Sequence, residues 1–381
     1  MTIRVPVKPV LLDWAEKRAG IPYPTIASKF KSFEDWKSGK KQPTLKQLES
    51  FAQFTHTSVG NLFLSEPPIE TIPIPDFRTR SNIELGKASP DLLDTIYLCQ
   101  ERQEWYRDYA RLNREDTVRF IGTLSIDADE ISAAAELRSI LSFDVYNRGK
   151  SWNDAFRSLA EEAEAIGILI MVSGIVGSNT HRTLNPDEFQ GFAMADNLAP
   201  LIFINGADFK SAQIFTLAHE LAHLWLGQSA ISNADINVTQ NNKTERWCNK
   251  VAAEVLVPLD HLRNLTIDLS DLTKELNRLA RIYKVSTLVC LRRIFDAGYL
   301  SRQEFNIAYN EELLRIQSLD NVKGSGGNFY NTQPVRLSKR FARALIESTF
   351  EGQTLYRDAF HMLGLKKVAT LNEIASRLGV I

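Results

Sequence analysis

Two imidazoles four residues apart with a carboxylate beside the first, His219, Glu220 and His223, are the side chains of this sequence best spaced to do chemistry together. On a helix, positions four apart lie one turn above each other on the same face, so His219 and His223 can present nitrogens to one metal ion. Glu220 sits beside that face. A carboxylate there can take a proton from zinc-bound water, whose pKa the metal lowers toward neutrality, and pass it to a leaving amine. The flanking run from Ile214 to Leu226 is apolar enough for a helix buried nearly all round, with Gly227 as its C-cap. Two histidines and a glutamate are costly to bury without partners. The competing reading is a core helix whose histidines fall four apart by chance, and a third ligand decides between the two.

Downstream, Glu245 to Val257 reads as a second helix that stops at Pro258. Glu245 and Asn249 share a face, and Ala252 and Ala253 are small enough to let another helix approach. Two histidines and a glutamate, with the fourth position left to water, form a catalytic rather than a structural zinc set, and the Asn249 amide is placed to orient a ligand histidine. Glu245 also fits a solvated helix-start carboxylate. Glu254, about two and a half turns on, is the rival ligand.

These residues carry a resemblance. Pro200-Leu-Ile-Phe-Ile-Asn-Gly-Ala-Asp208, Phe215-Thr-Leu-Ala-His-Glu-Leu-Ala-His223 and Glu245-x-x-Cys-Asn-x-x-Ala-Ala-Glu-x-Leu-x-Pro258 resemble the ImmA/IrrE family of bacterial metallo-endopeptidases. The likeness continues through Leu279-Ala280-x-x-Tyr283-x-Val285-Ser286 and Arg292-Arg293-x-x-x-Ala297-Gly298. Gln42 to Leu48, Phe63-Leu64-x-x-Pro67-Pro68 and Asp76-Phe77-Arg78 are similar to members with an N-terminal helix-turn-helix (HTH) of the Xre type. The resemblance implies Zn2+ held by His219, His223 and Glu245 in a zincin-like domain, with Glu220 as catalytic base. It implies a cytosolic protein substrate, usually an HTH repressor whose cleavage relieves repression in stress or mobile-element induction. Relatives encoded beside toxin-like genes imply an alternative: an HTH regulator or antitoxin whose peptidase-like domain senses a signal or holds a neighbouring-gene toxin. A structural zinc site without turnover is a third reading, which three ligands and a placed glutamate disfavour.

The composition agrees with a folded cytoplasmic enzyme. With 381 residues, 44% hydrophobic and 24% charged, the chain can bury a sizeable core in two or three domains. A net charge of -1 excludes a protein that coats nucleic acid or acidic membrane, while leaving room for a local basic patch. Cys99, Cys248 and Cys290 are odd in number and widely spaced, against a disulfide framework. The N-terminus lacks a signal-peptide apolar core and no run reaches the roughly 20 apolar residues of a membrane span. No phosphate-binding or dinucleotide glycine pattern occurs.

The elements that must position the site are α+β. Residues 1–66 read as an all-helical HTH-like module, 67–85 as a proline-rich linker, 86–315 as the metallopeptidase domain with a helical lead-in, and 316–381 as a helical C-terminal region containing a flexible Lys323–Gly327 break. The lead-in has helical stretches at Asp94–Arg111, Ala128–Leu141 and Trp152–Ile166. Gly167–Val172, Phe189–Met194 and Leu201–Ile204 read as strands of a small sheet flanking the cleft. An edge strand beside a zinc site can hold an extended peptide by main-chain pairing. Lys339–Gly364 reads as helix.

In the N-terminal module, Lys29, Lys31, Lys37, Lys40 and Lys41 are candidate phosphate contacts. The expected recognition segment, Ser32–Lys37, is short and carries Glu34 and Asp35, so DNA binding is expected to be weak. Gly327–Tyr330 with Arg336, Lys339, Arg340 and Arg343 reads as a solvated basic face. Tyr283, His181 and His261 have the chemistry to stabilise an oxyanion, but nothing in their spacing singles one out.

Overall fold

The computed structural model describes residues 4–76, 88–232, 242–319 and 337–381. They form two compact units. The first holds the described residues up to Pro73 and Ala88 to Asp94; the second holds Ile74 to Asp76 and the described residues from Thr95 onward.

In the first unit, helices α1 (Pro9–Ala19), α2 (Tyr23–Lys29), α3 (Phe33–Lys37) and α4 (Leu45–Phe54) are followed by a 3-10 turn at Val59–Phe63. Thr44 and Gln47 start α4 with a reciprocal capping box. The core is aromatic: Phe33 stacks on Phe51 at 5.2 Å, and Trp36 meets Phe51 edge-on at 6.3 Å. The five-residue α3 thus spends Phe33 and Trp36 on the core, leaving Glu34 to accept from the Tyr23 hydroxyl at 2.7 Å. Lys37, a candidate phosphate contact, is already paired with Asp13 at 2.6 Å and Glu16 at 3.0 Å.

The second unit is built on a sheet of β1 (Leu169–Ser173), β2 (Gly191–Met194), β3 (Leu201–Asn205) and β4 (Ala230–Ser232) in the order β1-β3-β2-β4. β1 and β3 are parallel, while β2 is antiparallel to β3 and β4. The three strands read from sequence are all present within two residues. β4 is additional: three residues are too few to show alternation.

Before the sheet come α5 (Pro90–Leu112), α6 (Glu130–Ile140) and α7 (Trp152–Ala165). Ile170, Val172, Ala193, Ile202 and Ile204 turn one sheet face into a core shared with α7 and with α8 (Lys210–Trp225), while Phe192 stacks on Phe203 at 5.0 Å. α9 (Lys243–Leu256) packs along α8, with Ala252 and Ala253 buried in that core. α10 (Leu259–Arg263), α11 (Leu272–Tyr283), α12 (Thr287–Asp296) and α13 (Arg302–Leu319) complete the domain. The stretch expected as helix from Lys339 to Gly364 is two helices, α14 (Lys339–Phe350) and α15 (Tyr356–Leu363), because Gly352 turns the chain at φ +75°; α16 (Val368–Arg377) follows. Arg102 ties α5 to them, donating twice to the Met362 carbonyl at 3.0 and 2.8 Å.

One end of the sheet differs from the open edge anticipated for peptide pairing. The Ile231 amide donates to the Pro75 carbonyl at 2.9 Å, and Asp76 bridges Ile231 in parallel. No helix of the described residues is long and apolar enough to cross a membrane. The Lys323–Gly327 break, the Gly327–Tyr330 stretch, Arg336 and Phe77-Arg78 lie outside the described residues.

Candidate metal centre

α8 is buried from Gln213 to Trp225, as its apolar run requires, and Gly227 ends it in the left-handed region at φ +67°. A Cβ on Gly227 would stand 2.9 Å from the Gly122 Cα, so the backbones can approach this closely only because residue 227 is glycine. Phe120 stacks on Trp225 at 3.9 Å and locks the last turn of α8. α9 starts on Asn242, whose side chain accepts from the Thr244 amide at 2.9 Å. At its far end Arg148 donates to the Leu256 and Val255 carbonyls and, at 2.8 Å, to the Tyr283 carbonyl. The ends of α9 are therefore fixed, and Glu245 stands in its first turn.

The two helices bring three donors to one point. The Nε2 atoms of His219 and His223 are 3.1 Å apart; Glu245 Oε2 is 3.2 Å from the first and Oε1 3.0 Å from the second. All three side chains are fully buried. Donors about 2.0–2.1 Å from a tetrahedral zinc lie about 3.4 Å from one another, so these separations need to open only slightly around the ion. The residues fit the metal on chemistry as well. Two buried imidazole nitrogens that face each other and share one carboxylate are a poor hydrogen-bonding set and a good divalent-cation set.

The electrostatics follow from that crowding. Burial alone would raise the Glu245 carboxyl, but His219, then His223, outweigh it and hold it at about 2. Burial works against charge on His219, yet Glu245 and, behind it, Glu220 raise its pKa; His223 is lowered, first by burial. A side-chain hydrogen bond with Asn249 also favours charged His219, placing Asn249 against a histidine of the cluster. Burial pushes Glu220 up to about 8. Its Oε1 accepts a 2.7 Å hydrogen bond from the Ser232 hydroxyl, and its Oε2 has no hydrogen-bond partner among the described residues.

Glu254 is used elsewhere. It pairs with Arg293 and accepts from the Leu259 amide at 3.2 Å, so it closes the end of α9. Tyr283 donates or accepts at His261 Nδ1 over 2.7 Å, and His261 Nε2 meets Tyr146 at 2.9 Å, a cluster separate from the three donors. His181 is exposed.

Residues 163–295 match the family model described as an IrrE N-terminal-like domain. That span covers α8, α9 and all three donors. Residues 337–377 match a second family, described only as a domain of unknown function (DUF8813). No curated protein and no solved structure matches the chain. The match supports a metallopeptidase-like domain of the ImmA/IrrE kind and leaves the N-terminal module unassigned.

Two residues at the site have no counterpart in the sequence reading. Ser232 lies on the short β4. Gly191 forms the wall behind Glu220: a Cβ there would meet Thr216 Cγ2 at 2.6 Å, the Phe203 carbonyl at 2.9 Å and Glu220 Oε1 at 3.3 Å. A lone glycine in an otherwise apolar strand, Phe189-Gln-Gly-Phe, was the available signal of close approach.

Proposed function

We propose that the protein is a zinc-dependent endopeptidase that cuts a regulatory protein of the cytosol, an HTH repressor being the first candidate. One observation carries the reading. His219, His223 and Glu245 converge within 3.2 Å of one another while Glu220, next in sequence to a ligand, is held by Ser232 and keeps one oxygen free. His219, His223 and Glu245 would hold the ion, with Asn249 steadying His219. Bound zinc would supply a water acidified toward neutrality. Glu220 would be the general base, taking up a proton at Oε2, and the general acid that gives a proton to a leaving amine. Among the described residues three donors converge rather than the four of a closed structural site, which favours turnover.

The test is to incubate the metal-loaded protein with the products of its neighbouring genes, an Xre-like repressor or a nuclease-like toxin among them. Zinc is assayed in the same samples. Wild type is expected to cut one of them. Glu220→Gln, which keeps the size of the side chain but removes the base, is expected to retain zinc and lose about 10²- to 10⁴-fold in rate. A Glu220→Gln variant that cuts at the wild-type rate ends the mechanism. A wild type that binds a neighbouring-gene toxin without cutting it favours the antitoxin or regulator reading.

A further inference from the structure

We propose that a cavity between α7, β1 and the first turn of α8 binds a small amphiphilic carboxylate, an acid with an aliphatic or aromatic body and one anionic end. The space measures about 260 Å³. At about 30 Å³ per water-sized atom this is room for roughly nine atoms. Its walls are mostly apolar, Phe156 and Ala160 of α7, Ile170 and Val172 of β1, and Leu337, and the Glu161 and Glu164 carboxyls also line it.

Into these walls the sequence places an ammonium. Lys210, the first residue of α8, lies with Nζ 4.7 Å over the Phe156 ring, and Nζ donates to Gln213 Oε1 at 2.7 Å. Among the described residues no carboxylate comes within ion-pair distance of it. The other two cations of the lining are matched, Arg157 with Asp154 at 2.6 Å and Lys339 with Glu161 at 2.7 Å. Burial, with nothing opposing it, lowers the Lys210 pKa.

Lys210 also stands at the wrong end of its helix. A helix N-terminus carries positive partial charge and disfavours a cation, and no side chain caps α8 at Phe209. One anion at Nζ would answer both the half-desolvated ammonium and the uncapped first turn. An inorganic anion would satisfy the charge but not the apolar walls, and a hydrocarbon would do the reverse. The occupant that satisfies both carries one charge at the end of an apolar body. The inference stands independently of the metallopeptidase reading, because it uses none of the residues around His219.

The experiment is calorimetric titration and thermal unfolding of the full-length chain with octanoate and phenylacetate. Octan-1-ol supplies the body without the charge, and acetate the charge without the body. At least one of the two acids is expected to raise the unfolding midpoint and to bind at least about tenfold more tightly than octan-1-ol or acetate, the margin of a charge-assisted hydrogen bond. Lys210→Met is expected to keep octan-1-ol binding and bring the acid down to it. Ala160→Phe, which fills the cavity, is expected to abolish both. Failure of both acids to bind at millimolar concentration overturns the proposal, as does equal binding of acid and alcohol to wild type. Acid binding that survives Lys210→Met undiminished also overturns it, and that comparison decides even if Ala160→Phe does not fold.

Discussion

The Ser232 hydroxyl donates to Glu220 Oε1 at 2.7 Å, and both side chains are fully buried. A three-residue strand thereby fixes the rotamer of the carboxylate that follows the first histidine, with Gly191 leaving the space in which that carboxylate stands. Ser232→Ala is expected to lower kcat about tenfold to a hundredfold, as the loss of one hydrogen bond to a charged group, with KM and zinc content unchanged. Steady-state kinetics on the identified substrate, with zinc assayed in parallel, checks this. An unchanged kcat would remove Ser232 from the mechanism.

His223→Ala and Glu245→Ala are expected to lose zinc, whereas Glu254→Ala is expected to keep it and lose stability. Glu254 neutralises Arg293, which is 4% exposed and would keep the Asp296 carboxylate at 3.2 Å, so the loss should fall below the roughly 3–5 kcal/mol of a buried charge left with no partner. Elemental analysis and denaturant unfolding of the three variants separate the roles. Zinc loss confined to Glu254→Ala would transfer the third ligand to that residue.

Burial pushes the Glu164 carboxyl from 4.5 up to about 7, although its Oε1 accepts from the Lys339 amide at 3.0 Å. Because the folded-state pKa is the higher, the folded chain holds this proton more tightly. The stability linked to it is complete below about pH 4.5 and is lost as pH rises through about 7. Glu164→Gln cannot ionise, so its stability relative to wild type should rise with pH, by about 1–3 kcal/mol between pH 4 and pH 8. Urea unfolding of metal-free protein at the two pH values measures this. A difference between variant and wild type that stays constant over the range would contradict it.

The N-terminal module is expected to bind DNA weakly at most. Lys37 is committed to Asp13 and Glu16, the inner residues of α3 are spent on the core, and Glu34 faces outward beside Tyr23. A titration on the promoter region of its own gene, repeated at rising salt, is the measurement. Nanomolar binding that persists at high salt would place the protein among sequence-specific regulators.

What the sequence made legible was whatever repeats locally. Helix spacing put His219 over His223, small residues at Ala252 and Ala253 announced a close helix pair, and three apolar runs gave three strands. Spacing does not separate Glu245 from Glu254, because the partner of Glu254 is Arg293, 39 residues further along the chain. Ser232 and Gly191 act by approach across the fold, and β4 is too short to carry a period. The bend at Gly352 leaves no mark in the pattern, because the apolar spacing continues on both sides of it.

An unpaired edge strand is a template on which a second chain can add, and a strand whose residues are all buried, as in β4, is the kind most prone to it. Pro75 lies along that edge, giving its carbonyl to Ile231 and having no N–H to offer outward. The strand that steadies Glu220 is thus shielded from intermolecular β-addition by a residue that cannot continue the ladder. Protection against aggregation and support of the carboxylate converge on one strand three residues long.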